Sequence, residues 1–438
     1  MIANTTTATA AETVHDTVRA AVYKKAALRF IPFLCLCLVA AYLDRVNVGF
    51  AKLQMLDDLA FSNTVYGFGA GIFFLGYVLF EVPSNILLHK IGARVWIARI
   101  MLSWGMIAIA MAFVQTPMQF YIVRFLLGVA EAGFMPGVFY FLSCWFPSDR
   151  RGRILALMLA AVPLSSVIGG PLSGWIMSSF MDVGGFRAWQ WLFLLETIPS
   201  LVLGALAIKV LVNSPAEATW LSDEEKRIIS DDLGREAARK QEHSSFASAF
   251  RSLVVWQLSL AYFCIVSAMY VIIFWMPTLI KQHGVTDVMQ IGWLTTIPYL
   301  TAIVAMYYCN ASADRHAERR WHTAVPCMLT ALGIGLSAMH FDSLALTIAA
   351  LTLAAASASM AQSAFWSMPP SFLTGAAAAA GMALINSLGN ISGMASTAAV
   401  GWITDQTGNH QLSLFFISGL ALLGAVLIIR LPGKLVDH

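Results

Sequence analysis

Apolar stretches of about twenty residues recur along the whole chain, near 28–50, 65–88, 95–114, 118–143, 153–178 and 190–213, then 254–281, 290–311, 322–340, 343–366, 378–404 and 411–431. Each is long enough to cross a bilayer as a helix. A lone apolar segment in lipid can satisfy its backbone only that way, and the short alternating segments of a β-barrel do not occur here. The pattern therefore predicts an all-α membrane protein with twelve transmembrane helices. One long polar stretch divides the spans six and six. The expected organisation is a disordered tail over 1–27, a six-helix bundle over 28–213, a linker over 214–253, a second bundle over 254–431 and a tail over 432–438. The first tail is rich in Thr and Ala and has no apolar core, so it does not read as a signal peptide. The linker carries Asp223, Glu224, Glu225, Lys226 and Arg227, then a mixed-charge run to Glu242. It reads as a solvated connector with one or two amphipathic helices.

Four charges break the apolar pattern. Asp44 and Arg45 interrupt the first span, and Arg124 and Glu131 the fourth. A charge at the bilayer centre costs roughly 2.5–3.5 kcal/mol on insertion scales, so such groups face one another or a water-filled cavity. Arg124 and Glu131 lie two turns apart on one helical face. Asp44 and Arg45 point about 100° apart and cannot share a partner. The simplest arrangement is crossed, with Asp44 toward Arg124 and Arg45 toward Glu131. Arginine binds a carboxylate bidentately and cannot lose its charge. If an incoming carboxylate takes Arg45, Glu131 is left to bind a proton. A static pair of bridges between spans one and four is the competing reading. Tyr42 and Tyr77 fit either substrate contact or ordinary packing. Of the other charges, Glu81 is expected to brace the loop after span two, Arg99 and Lys209 to snorkel, and Glu196 to bond between helices.

The second half offers only neutral groups at matching depth: Gln362, Ser363, Trp366 and Ser367 in span ten, then Asn386, Ser387 and Asn390 in span eleven. These suit substrate hydroxyls, an aromatic face or simple interhelical bonds.

Composition agrees with the pattern. Hydrophobic residues make up 58% of the chain and charged ones 12%, about half the usual share for a soluble domain. The net charge of +3 matters less than its placement. With twelve spans, twenty Lys and Arg fall on the side of the termini, while only Lys52, Arg187 and Lys281 fall opposite. Both termini are therefore expected to be cytoplasmic. That bias explains the basic residues without any nucleic-acid role. The six cysteines show no CxxC spacing and read as packing residues. No phosphate loop, metal cluster or nucleophile–base pair is present, so no cofactor and no enzymatic activity are expected. Two short matches relate the halves. Lys90 aligns with Arg315 at an offset of 225, and Gly174-Trp175-Ile176 with Gly401-Trp402-Ile403 at 227. Such duplication is common in secondary transporters, with substrate held between the repeats.

The chain resembles the major facilitator superfamily, and within it the anion:cation symporters, over nearly all of its length beyond the tail. Asp314-Arg315-x-x-x-Arg319-Arg320 is similar to the superfamily's loop motif, of which Lys90 and Arg94 form the first-half counterpart. Closer to the symporter branch are Tyr42-x-Asp44-Arg45-x-Asn47, Pro83-Ser84-Asn85 with Gly92-Ala93-Arg94, and Arg124-Phe125-x-x-Gly128-x-x-Glu131-Ala132-Gly133. Trp220-Leu221-Ser222-x-Glu224-Glu225-Lys226, Phe274-Trp275-x-Pro277 and Asn386-Ser387-x-Gly389-Asn390 extend the match. His89 stands where the superfamily commonly carries an acid, and Ser396-Thr397-Ala398-Ala399 lacks a proline found in relatives. Gly169-Gly170-Pro171-x-x-Gly174 is similar to an exporter motif but equally suits close helix packing.

The resemblance implies the crossed charge pairs and substrate contact by Arg45, Tyr42, Tyr77 and Asn386, with Trp366 and Ser367 in the same region. Glu131, Asp44 and Arg124 would couple protons, while Lys90, Arg94, Asp314, Arg315 and Arg319 would serve gating. It implies a monomer in the inner membrane of a bacterium that imports a small organic anion, such as a sugar acid, tartrate-like acid or aromatic acid, with protons. An anion exchanger or uniporter, or a transporter-like receptor, are the alternative readings.

Overall fold

The computed structural model describes residues 3–239, 250–339, 341, 343–373 and 375–436. Six helical rods make the first half: α1 (Ala3–Leu59), α2 (Asn63–Ile91), α3 (Ala93–Ala110), α4 with α5 (Pro117–Glu131, Phe134–Ser143), α6 with α7 (Ser148–Leu159, Ala161–Ser179) and α8 with α9 (Ala188–Glu196, Ile198–Val210). The linker helix α10 covers Asp223–Arg239. The second half is α11 (Leu253–Gln282), α12 (Val288–His316), α13 (Arg320–Ser337), α14 (Leu344–Phe365), α15 (Gly375–Thr407) and α16 (His410–Ile429). Among the described residues, nine stretches are long and apolar enough to cross a membrane. The pair α6–α7 and the helices α13 and α15 complete the twelve expected spans. An even number of passes brings both termini to one end.

Local sequence sets the helix ends. Ser62 accepts from the Val65 amide and caps α2. Thr116 and Gln119 form a reciprocal capping box ahead of α4, with Pro117 in its first turn. Gly133, at φ 86°, breaks the fourth rod directly after Glu131, a conformation that disfavours any residue with a Cβ. α15 runs unbroken through Ser396–Ala399, where the relatives' proline is absent.

At the end away from the termini, the halves meet along two seams, α2 on α15 and α7 on α12. A Cβ at Gly67 would collide with the Thr397 carbonyl, and one at Gly170 would lie 2.7 Å from the Gly292 carbonyl. The small residues of Gly169-Gly170-Pro171-x-x-Gly174 thus let backbones touch across the halves. Asp405 on α15 accepts from both the amide and the hydroxyl of Thr64 at 2.6 Å, and from Asn63. It caps a helix of the opposite half.

Two expectations outside the spans need correction. The tail expected to be disordered over 1–27 is helical from Ala3, and Val22, Tyr23 and Ala26 are buried. Its polar residues have partners on α10, which composition alone does not reveal. Arg19 Nε donates to Asp232 at 2.6 Å, the Tyr23 hydroxyl to the same carboxylate at 2.9 Å, and Lys25 to Glu225 at 2.9 Å. The linker is correspondingly docked rather than fully solvated: Leu221, Ile229 and Asp232 are buried, and Trp220 stacks on Trp145 at 5.7 Å. The linker run through Glu242 extends into 240–249, which lies outside the described residues, as do 437 and 438 of the C-terminal tail.

Candidate functional site

Arg45 sits about three-quarters of the way along α1, 6% exposed, and its Nη2 donates to Glu131 Oε1 at 2.5 Å. This is the second of the two pairs expected from sequence. α4 ends at Glu131, so the carboxylate projects from the last turn before the Gly133 break. Three aromatic rings surround the guanidinium: Tyr42 at 4.7 Å, Phe73 at 5.3 Å and Tyr77 at 5.8 Å. From the other half, the Tyr270 hydroxyl on α11 lies 3.4 Å from Nη1. Nε has no hydrogen-bond partner. One edge of the fork is therefore held by Glu131, and the rest is short of acceptors.

The first expected pair does not form. Asp44 accepts from the Trp104 indole at 2.7 Å and, more distantly, from Ser200 at 3.5 Å. It points into the interior of its own bundle, toward α3 and α9. Arg124, 1% exposed, instead donates to the carbonyls of Gly69 and Ala70 on α2, at 3.3 and 3.1 Å, and lies over the Phe73 ring. Asp44 and Arg45 do diverge, as adjacent positions on a helix require. What the spacing hides is that an indole on a third helix competes for Asp44, and that helix carbonyls can serve an arginine.

A cavity of about 100 Å³ opens beside Arg45 between the halves. Tyr42, Arg45 and Ser166 line it from the first half, and Tyr299, Gln362, Ser363 and Trp366 from the second. The second-half groups are held in place. The Trp366 indole donates to Tyr262 at 3.0 Å, Gln362 reaches the same hydroxyl at 3.4 Å, and Asn310 donates to Ser363 at 2.5 Å. Charge thus comes from one wall and neutral polarity from the other.

Asn386 and Ser367 do not line this cavity. Asn386 donates to Glu81 at 3.3 Å, a contact between α15 and α2. Glu81 therefore bridges the halves and does not brace the loop after span two. The Ser367 hydroxyl turns back to the Ala364 carbonyl, and its own carbonyl receives Arg319 at 2.6 Å. A serine just past a helix end satisfies its own turn, which removes it from the cavity. Arg94 acts within its half, donating to the Ile208 carbonyl at 2.6 Å. Lys90, Asp314 and Arg315 are exposed at helix ends, and His89 packs its ring on Tyr140 at 4.3 Å. Glu196 accepts from Ser173 at 2.7 Å, joining α8 to α7 as expected of a helix-bonding group.

Sequence reading passed over Tyr270, Tyr299, Tyr262 and Ser166. Each sits in an apolar run, where a tyrosine ring or a lone serine looks like packing. The available signal was tyrosines at span depth in a half whose apolar spans carry no Asp or Glu.

The sequence pattern described as Major Facilitator Superfamily matches residues 34–397. The "Putative metabolite transport protein NicT" of Pseudomonas putida is 49% identical over 432 residues, covering 98% of this chain and 99% of that protein. A "Putative tartrate transporter" of Agrobacterium vitis is 44% identical over 419 residues, covering 95% and 93%. Among solved structures, a D-xylose-proton symporter superposes with a TM-score of 0.74 over 92% of this chain and 98% of that one, at 13% identity, a likeness of fold alone. Twelve helical rods in two halves among the described residues, a central cavity between them and these matches lead to one conclusion: the chain belongs to the Major Facilitator Superfamily and is a multi-pass membrane transporter rather than an enzyme.

Proposed function

We propose that the protein imports a small organic carboxylate together with protons, by alternating access around the cavity at Arg45. The observation that carries this reading is the half-used guanidinium. Arg45 faces the cavity, is bonded to Glu131 at one nitrogen, and keeps an unpartnered Nε and a weakly engaged Nη1. A substrate carboxylate can take the planar fork bidentately. Glu131 then loses its counter-ion inside the membrane, where an unpaired buried carboxylate is costly and neutralises by binding a proton. Substrate and proton are thereby coupled without covalent chemistry. Asp44, bonded only to neutral donors, is the second carboxylate that can carry a proton, and Arg124 holds α4 against α2 while this happens.

Tyr42 and Tyr77 flank the substrate carboxylate, and Gln362, Ser363 and Trp366 meet its remainder. Hydroxy acids, sugar acids and aromatic acids fit a wall of hydroxyl, amide and indole groups, and the name of the tartrate-transporter relative points the same way. The Lys and Arg distribution supports cytoplasmic termini, and the bacterial sources of the two relatives support an inner membrane.

Glu131→Gln mimics the protonated state. In reconstituted vesicles it should keep counterflow of the carried acid and lose accumulation driven by a pH gradient. Accumulation that persists would remove Glu131 from the coupling. Parent protein that exchanges anion without net proton flux would favour the exchanger reading.

A further inference from the structure

Lys52 lies on α1 and is 4% exposed, although a lysine near a span end would ordinarily snorkel to water. Its ammonium sits 3.2 Å from the centroid of the Trp275 ring on α11 and 4.8 Å from that of Tyr66 on α2, and it makes no hydrogen bond. Cation–π attraction repays only part of the cost of burying an ammonium with three unsatisfied donors. A methionine would fill this space more cheaply, and the one opposite charge that acts on the ammonium, Asp405 of the second half, hydrogen-bonds Asn63 and Thr64 instead, so the charge has no evident use in the closed arrangement.

Its position relative to Arg45 supplies one. Lys52 is seven residues further along the helix, on the same face and about 10 Å toward the end away from the termini. Between them lies Gly49, where a Cβ would stand 3.2 Å from the Ile273 carbonyl and 3.3 Å from that of Phe274. The backbone of α11 therefore presses onto α1 at Gly49 and separates the two cations. Trp275 belongs to the same stretch of α11. Nearby, Lys281 of the second half donates to the Leu53 carbonyl at 2.8 Å, and Asp405 leaves with α15. When the halves part at this end, Trp275, Lys281 and Asp405 move away together. Lys52 is left on the first half with its donors facing the opened path to Arg45.

We propose that Lys52 is a staging site for the substrate carboxylate, hidden while this end is closed and exposed when it opens, which hands the anion two turns along one helix face to Arg45. The proposal rests on the carboxylate reading above, and adds to it a site that acts from one side of the membrane only.

The test is counterflow without a pH gradient, in right-side-out and in inverted membrane vesicles, using labelled tartrate, galactonate and benzoate in turn. Lys52→Met should raise the KM measured from outside by about tenfold or more, the loss of one charge-assisted contact, and leave the KM from the cytoplasmic face within about twofold. Lys52→Arg should restore most of the outer affinity. A lysine that merely latched the closed end would give the opposite sign, since its removal would populate the open state and lower the outer KM. That result, or equal shifts on both faces, would overturn the proposal. If Lys52→Met fails to reach the membrane, Lys52→Gln is read against the same outcomes. A parent that exchanges none of the three acids overturns the carboxylate reading and this site with it. A parent that exchanges one, with the outer KM of the variant unchanged, overturns the site alone.

Discussion

The two halves share a helical plan but not a chemistry. Asp44, Arg45, Lys52, Glu81, Arg124, Glu131 and Glu196 are all buried in the first half. In the second half, among the described residues, the buried polar groups are serines and threonines, together with tyrosine and tryptophan tips. The same helical scaffold therefore carries its buried ionic groups on one side only. The consequence is a cavity with one ionic wall and one neutral polar wall, which under the proposed function would divide a ligand into its charge and its neutral remainder.

The largest effect expected of breaking this asymmetry is at Arg45. Arg45→Ala leaves Glu131 buried without a counter-ion, so it should abolish substrate binding and destabilise the protein by about 3–5 kcal/mol, unless Glu131 takes a proton. Thermal unfolding in detergent alongside counterflow checks both. Replacing Arg45 and Glu131 together by methionine should recover the stability and not the transport. A smaller effect is expected from the neutral second half. Tyr270→Phe removes a single hydroxyl near Arg45 and should raise KM about fivefold, corresponding to about 1 kcal/mol, with pH-driven accumulation retained. Loss of pH coupling in Tyr270→Phe would mean that the second half shares the ionic work.

The smallest effect concerns charge outside the membrane. The Ser222 amide, and then Lys25, hold the Glu225 carboxyl below its ordinary range. A depressed carboxylate stabilises the fold above its unfolded pKa, near 4.3, and that contribution fades as pH falls through the lower folded value. The pair is solvent-accessible, so Glu225→Gln should cost only a few tenths of a kcal/mol at neutral pH and almost nothing in strong acid. Unfolding midpoints at the two pH values measure it, and transport should be unchanged.

Hydropathy made the helical spans legible, because lipid enforces them, and the one long polar stretch made the six-and-six division legible. The Arg45–Glu131 pair was also legible, since two lone opposite charges on facing spans have few alternatives. Asp44 with Trp104, and Arg124 with helix carbonyls, were not. Those partners are neutral, common and distant in sequence, so nothing in the spacing distinguishes them. Tyr270 escaped for the same reason: a ring in an apolar helix looks like packing until a neighbouring half brings Arg45 to it. The docked N-terminal helix was hidden because its partners lie more than two hundred residues away on α10.

Asp405 gives the closed end an intrinsic reporter. The amides of Asn63 and Thr64 open α2, and the acceptor for both belongs to the opposite half. A helix start with unmet donors keeps them only as long as that carboxylate stays in reach. Each parting of the halves would free those two amides, so their exchange of hydrogen for deuterium would report how far this end opens in the unlabelled, unmodified protein.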